Sequence, residues 1–429
     1  MKRNIQGGQY LDLVDGSLTP LHILVDTESG KILAMGTDIA SGDETILLHG
    51  EILLPGFIDM HVHLREPGFE HKETIQTGAR AAAKGGFTQI ACMPNTNPPL
   101  DSPERLKFVR SQARAAGATQ VWPIACITDG QAGHRLTDFA ALKDAGAIAL
   151  SDDGKGVQHG GLMRQAFVEA AKVGLPIAIH AEDETIAGRG VLDVGAATRL
   201  GLTPLYGSAE SAMIARDLLL AEETGAHLHV CHVSTESAVS LIRFAKGRGI
   251  HVTAEVTPHH LLLSDDCIVA DDATFKVNPP LRSERDRAAC LEGFLDGTLD
   301  MVATDHAPHS AEEKAQGISQ APFGMVGIET VFPLLYTYLV VPGKLSLEAL
   351  VKRMATIPAA AFGLQGGVLR PGGVADIVAV DVTSERAIDP STFYSKGRNT
   401  PFAGWKTVGF PTLVLCGGHI LYDEGGYQA

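Results

Sequence analysis

From Pro55 onward the chain alternates short apolar runs with longer amphipathic stretches, and few folds accept that alternation. Eight runs stand out, at 57–63, 87–93, 121–127, 147–151, 176–180, 227–233, 251–256 and 300–304. Segments between them carry helical periodicity, at 72–84, 103–116, 162–173, 209–223, 236–247 and 285–295. Gly85-Gly86, Gly174, Gly225 and Gly249 stand at the helix-to-strand returns, where a residue free to turn left-handed ends a helix without steric cost. Strand–helix repetition of this kind builds a parallel sheet. Eight units predict a closed (β/α)8 barrel, a TIM barrel, in preference to an open doubly wound sheet. Such a barrel takes roughly 250 residues, so a chain of 429 has room for a smaller module beside it.

The flanks differ in style. Short strand-like segments at 21–25, 32–35 and 45–49 precede the barrel region, and similar ones at 374–380, 412–415 and 419–422 follow it. Both ends are rich in strands and in Gly and Pro turns, so they are expected to pair into one small β-sandwich. The expected division is residues 1–54 and 365–429 for that module and 55–364 for the barrel.

Composition excludes several classes. A formal net charge of −15 argues against a nucleic-acid surface or an anionic membrane face. It does not exclude an anionic small molecule, because local cations or a metal dominate the field inside a cleft. No apolar run approaches the roughly 20 residues of a membrane span, and the first residues lack the apolar core of a signal peptide. The six cysteines are scattered without paired spacing, which points to reduced thiols and a cytoplasmic location.

Barrel enzymes assemble their sites at the C-terminal ends of the strands. Those ends carry His61 and His63 on the first strand, Asp152-Asp153 after the fourth and His180 on the fifth. His232 ends the sixth, and Asp305 with His306 the eighth. Residues two apart on a strand share a face, so His61 and His63 can converge on one point. A single buried histidine is usually a satisfied core residue. Four histidines and two aspartates at strand ends instead suit Zn2+ or a similar divalent ion. By the same parity His227 and His229 fall opposite His232 and are expected to face the helices or serve structure. Arg65, two residues past His63, is placed to grip a carboxylate, or else to make a surface ion pair. Asn95, after the second strand, adds an amide donor. No phosphate loop, nucleophile elbow or Cys-pair zinc knuckle is found.

The stretch Pro55-Gly-Phe-Ile-Asp-Met-His-Val-His-Leu-Arg-Glu-Pro-Gly68 resembles the signature of dihydroorotases in the cyclic amidohydrolase superfamily. Met93-Pro-Asn-Thr-Asn-Pro-Pro99, Glu255-Val-Thr-Pro-His-His260, Lys276-Val-Asn-Pro-Pro-Leu-Arg282 and Ala303-Thr-Asp-His-Ala-Pro-His309 match further motifs in the same order. The resemblance implies metal ligands at His61, His63, Asp153, His180, His232 and Asp305. It implies substrate contacts from His63, Arg65, Asn95, Asn278, His309 and the backbone at Phe323 and Gly324. Many members of the superfamily bridge two metals with a carboxylated lysine ending the fourth strand. Here 146–151 has no lysine, and the chain is similar to the subgroup in which an aspartate, Asp153, bridges; Lys155 keeps the lysine alternative open. His259 and His260 are expected to pack or to support the ligands.

The implied activity is the reversible, zinc-dependent cyclisation of N-carbamoyl-L-aspartate to L-dihydroorotate in pyrimidine synthesis, with one or two Zn2+ per chain. Asp305 is the expected ligand and general base. A hydantoinase or allantoinase is the nearest alternative, and a non-catalytic scaffold for aspartate carbamoyltransferase is the alternative from another class. A homodimer and an association with that carbamoyltransferase are the partner states left open.

Overall fold

The computed structural model describes residues 1–427. Five strands open the chain: β1 (Lys2–Leu11), β2 (Leu18–Asp26), β3 (Lys31–Gly36), β4 (Glu44–Leu47) and β5 (Ile52–Pro55). Seven more carry the alternating region: β6 (Phe57–Val62), β7 (Phe87–Cys92), β8 (Gln120–Pro123), β9 (Ile177–Ile179), β10 (Leu228–Val230), β11 (Val252–Val256) and β12 (Met301–Val302). The chain closes with β13 (Ile377–Asp381), β14 (Arg386–Ala387), β15 (Lys406–Thr407), β16 (Phe410–Cys416) and β17 (His419–Asp423).

β6–β7–β8 and β9–β10–β11–β12 form two parallel ladders. Isolated parallel bridges join them into a ring: Ala125 with Leu150 and Leu150 with Ile177 at one seam, Val62 with His306 at the other. Ser151 N–H donates to Ala125 O at 2.8 Å, Ala178 N–H to Leu150 O at 2.8 Å, and His63 N–H to His306 O at 2.9 Å. The expected run at 147–151 is therefore the fourth stave of the barrel, too short to form a ladder of its own.

Helices Ile75–Lys84, Pro103–Ala116, Gly160–Val173, Ser208–Thr224, Glu236–Gly247 and Glu284–Asp296 occupy the expected stretches. Their ends follow local chemistry. Thr74 caps the first through a reciprocal bond with Thr77, and Gly174 and Gly225 close the third and fourth at φ of +66° and +69°. Alternate strand residues point outward, among them Val62, Ile90, Val121, Leu228 and Val252, and pack with the helices in the main core. The opposite set, including Ile58, Met60, Ala91, Ile124, Ala149, Ala178 and Met301, meets inside the ring with Phe362.

The β-sandwich expected from the two chain ends is built as one continuously hydrogen-bonded sheet of eight strands, in the order β17-β16-β13-β5-β1-β2-β3 with β4 paired to β1. Its keystone is the antiparallel pair of β5 and β13, which sets Pro55 opposite Ile377. One face holds its own core, with Ile5, Ile23, Leu53, Ile377 and Leu413, while Ile52, Leu54, Val378 and Val414 face the barrel's core. β6 starts two residues after β5 ends, so the sheet feeds directly into the strand that carries His61 and His63. Of the expected C-terminal part, Gln428 and Ala429 lie outside the described residues.

Candidate metal centre

The four histidines and two aspartates singled out above converge at the C-terminal mouth of the barrel. Asp153 Oδ1 lies 3.5 Å from His61 Nε2, 3.7 Å from His180 Nδ1 and 3.9 Å from His232 Nε2. Its Oδ2 lies 3.7 Å from His63 Nε2. Asp305 Oδ1 is 3.0 Å from His63 Nε2 and 3.5 Å from His61 Nε2. Around a tetrahedral ion with donors about 2.0–2.1 Å away, neighbouring donors stand about 3.3 Å apart. The observed separations bracket that edge. His61 Nε2 and Asp153 Oδ1, 3.5 Å apart, are buried polar atoms with no hydrogen-bond partner, a costly arrangement unless something else ligates them. These donors fit a divalent ion, and Asp153 stands between a set with His61, His63 and Asp305 and a set with His180 and His232.

The electrostatics agree. Burial works against charge on His61, yet the Glu255 and Asp153 carboxylates overcome it and raise its pKa well above the ordinary value. His180 is also raised, against burial, chiefly by Glu182 and Asp153. His232 is pushed down to about 3 by burial and by the neighbouring imidazoles. Burial opposes ionisation of Asp153 and Asp305, but the surrounding imidazoles win and hold both below the usual carboxylate range. The centre calls for positive charge, which a divalent ion supplies.

Sharp turns bring the groups together. Arg65, His232 and Asp305 take φ of +62°, +34° and +46°, values that cost a non-glycine residue about 1–3 kcal/mol. This corrects the parity argument. His229 does not face the helices: it is buried against Phe362 and bonded to Glu255 inside the ring. Cys231 also points inward, and the left-handed turn at His232 swings the next side chain inward as well.

A cavity of about 320 Å3 opens over the centre, lined by His63, Arg65, Asn95, Asp153, His180, His232, Asn278, Asp305, Phe323 and Gly324, with Gly154, Ala307 and Pro322. His61 sits fully buried outside that lining. Asn95 is partly committed: its Oδ1 accepts from His63 Nδ1–H at 2.9 Å, and its Nδ2 donates to Asp153 Oδ2 at 2.9 Å. Asn278 Nδ2 donates to Glu182 Oε2 at 2.8 Å.

Arg65 is not a surface ion pair. It is partly buried, and among the described residues no carboxylate lies within 4.0 Å of its guanidinium. Burial lowers its pKa to about 10, with Asp305 and Asp153 pulling the other way, so it keeps its charge at neutral pH. Nε donates to Pro308 O at 3.2 Å. Burial, with the cations of Arg65, Lys72 and Lys314, pushes His309 down to about 2, so this ring is neutral. Its Nε2–H donates to Phe323 O at 2.7 Å while Lys72 Nζ approaches Nδ1 at 3.4 Å. The Arg65 Nη2, 3.1 Å from that Nε2, then meets no lone pair there and keeps N–H groups free for an anion.

Other expectations resolve by contact. Asp152 accepts from the Ile127 and Thr128 backbone at 2.8 and 3.1 Å, which fixes the loop after the third strand. His260 bonds Thr257 Oγ1 and Pro279 O, and His259 is buried outside the lining of the cavity. His306 lies 3.5 Å from Glu73. Glu255 and Glu182 received no role from the sequence, although Glu255 lies within a matched motif; facing His61 across the barrel, it follows from strand register and not from spacing.

Lys155 is exposed and does not line the cavity. Lys155→Ala is therefore expected to retain most of the parent activity, with no dependence on added bicarbonate. A carboxylated Lys155 detected by mass spectrometry, or activity lost in the variant, would contradict the expectation that Asp153 bridges.

The Dihydro-orotase-like family profile matches residues 50–238. A dihydroorotase of Brevibacillus brevis is 53% identical over 413 residues, covering 95% of this chain and 96% of that protein. One of Bacillus caldolyticus is 50% identical over 412 residues, covering 96% of each. Among solved structures, L-hydantoinase (dihydropyrimidinase) from Arthrobacter aurescens superposes with a TM-score of 0.88 at 29% identity, over 99% of this chain and 96% of that one. Dihydropyrimidinase from Brevibacillus agri gives 0.84 at 25% identity, over 99% and 95%.

Proposed function

The chain belongs to the dihydroorotase family, and from that premise we propose that it interconverts N-carbamoyl-L-aspartate and L-dihydroorotate at the centre described above. It is a metal-dependent cyclic amidohydrolase. One observation carries the choice of substrate: a charged guanidinium without a carboxylate partner faces the same cavity as five of the six convergent candidate ligands, His63, Asp153, His180, His232 and Asp305. Both substrates bear a carboxylate that does not react, and Arg65 has the free donors to take it.

A divalent ion held by His61, His63, Asp153, His180, His232 and Asp305 would polarise the ring carbonyl and acidify the attacking water. Zinc suits the mixed N and O donors, and one or two ions fit the two sets that share Asp153. The chain's own groups do the rest. Arg65, the remaining Asn95 N–H, Asn278 and the Phe323-Gly324 backbone orient the free carboxylate and the ring, while His309, outside the cavity lining, holds Phe323 through its carbonyl. Asp305 takes a proton from the water in ring opening and passes it to the departing ring nitrogen; closure runs the same path in reverse.

The hydantoinase alternative leaves Arg65 with nothing to hold, because a hydantoin ring has no carboxylate. Nor does a non-catalytic scaffold explain why all six ligand positions are filled. A cytoplasmic location is supported by six unpaired cysteines, and no described helix is long and apolar enough to cross a membrane. Sizing the protein alone and with aspartate carbamoyltransferase would distinguish a homodimer from a mixed complex.

Arg65→Met tests the proposal. A charge-assisted bond contributes roughly 1.5–3 kcal/mol, so kcat/KM for dihydroorotate is expected to fall about ten- to hundredfold. Turnover of an uncharged hydantoin should fall far less. Equal losses on both substrates would assign Arg65 to the fold and remove the argument for dihydroorotate.

A further inference from the structure

The interior of a (β/α)8 barrel is ordinarily filled with branched apolar side chains, and one side of this barrel breaks that rule. β10 and β11 pair in register, with His229 opposite Thr253. Their inward residues form a polar column. At the base the rings of His227 and His251 stack 4.2 Å apart, on the wall of a second cavity of about 870 Å3. Above them Thr253 Oγ1 bonds His227 Nε2 and His229 Nδ1, each at 2.8 Å. His229 Nε2 then meets Glu255 Oε2 at 2.9 Å. Glu255 Oε1 meets His61 Nδ1 at 2.7 Å and accepts from the His232 N–H at 3.2 Å.

With neutral imidazoles in the column, one proton arrangement satisfies every member. A carboxylate can only accept, so both His229 Nε2 and His61 Nδ1 carry hydrogens directed at Glu255. His229 Nδ1 is then a lone pair and takes the Thr253 hydroxyl hydrogen. The hydroxyl oxygen in turn accepts from His227 Nε2–H. Reading upward, the column holds a hydrogen of His61 on Nδ1, so Nε2, 3.5 Å from both Asp153 and Asp305, is the nitrogen left for a metal ion to take in place of a proton. Glu255, His61 and His229 are at most 1% exposed, so no solvent replaces the bonds to Glu255 if a partner is removed.

We propose that His229 and Thr253, reaching from the base of the barrel through Glu255, are positioning residues that fix the tautomer and orientation of His61 as a metal ligand. Neither touches the ligand set or the substrate cavity. They act by holding the carboxylate that holds the imidazole, as partners beyond a metal's own ligands commonly do. The inference rests on the metal site proposed above.

The test is metal affinity measured against a competing chelator, together with the visible spectrum of the Co2+-loaded protein. Thr253→Val keeps the shape of the side chain and removes the hydroxyl; His229→Leu removes the donor to Glu255. Each is expected to weaken binding of Zn2+ and Co2+ about ten- to hundredfold and to shift the Co2+ bands. Thr253→Ser and His229→Gln, which keep a hydroxyl and an N–H donor, should bind within about threefold of the parent. If His229→Leu fails to fold, the Thr253 pair decides alone. Parent-like affinity in Thr253→Val, or equal loss in the Val and Ser variants, overturns the inference. Failure of the parent itself to bind metal refutes the site and not the column.

Discussion

Asp305→Asn is expected to abolish ring opening and ring closure together while leaving dihydroorotate bound. The carboxylate lies 3.0 Å from His63 Nε2 on the cavity wall and is held ionised against burial by the imidazoles around it. An amide of the same shape keeps the packing but cannot carry a proton. Loss of a single acid–base group costs roughly 10²- to 10⁴-fold, and losing a metal donor as well places the expected fall at the upper end. The proton balance gives a second signature. Carbamoyl-aspartate is a dianion near neutrality and dihydroorotate a monoanion, so closure consumes one proton. The equilibrium then moves toward the ring about tenfold for each unit of falling pH. Closure rates in the parent should fall as pH rises, and opening rates should climb to a plateau. A metal-loaded Asn variant that kept a tenth of the parent rate in either direction would show that Asp305 is not the proton carrier.

Chelation is expected to have an effect of the same order. Six donors separated by 3.0–3.9 Å across the ligand set have no apolar packing to replace the ion, so removing it leaves carboxylates and imidazoles facing one another. Stripped protein should lose activity and recover it with Zn2+. Because the ion binds the folded chain, removal should also lower the parent's melting temperature; saturation at 100 times Kd stabilises by about 2.7 kcal/mol. His180→Ala or His61→Ala should behave as stripped protein does, with little metal bound, a folded barrel, and a melting temperature that no longer responds to chelator. Full activity in a preparation shown to be metal-free would remove the metal from the account.

Much of this was legible before any coordinates, for identifiable reasons. Barrel strands are apolar on both faces and stand out against amphipathic helices, which is why even 147–151, reduced to a bridge at Leu150, was recognised. Strand ends concentrate chemistry, so the histidines and aspartates that converge at the mouth could be gathered from them, while the choice of Asp153 over Asp152 came only with the family resemblance. The flanking sheet was harder. β1 is a central strand, yet Gly7-Gly8 and a register shift between Ile5 and Gly8 erase its alternation. β5 is four residues long and buried throughout, with nothing to separate it from the barrel strand that follows. Side-chain direction failed for His229, because the left-handed φ of +34° at His232 breaks strand parity and leaves no mark in the sequence. Glu255 was missed because its partners, His61 and His229, come from different strands, and only closure of the ring brings them together.

The most direct measurement is closure itself. N-carbamoyl-L-aspartate incubated at slightly acidic pH with parent protein, metal-loaded or metal-stripped, can be followed by NMR until the ring product appears. The account predicts L-dihydroorotate from the loaded protein and essentially none from the stripped one, with Arg65→Met slower by about ten- to hundredfold. Equal conversion by stripped protein, or a loaded protein that opens hydantoin readily and leaves carbamoyl-aspartate untouched, would contradict it.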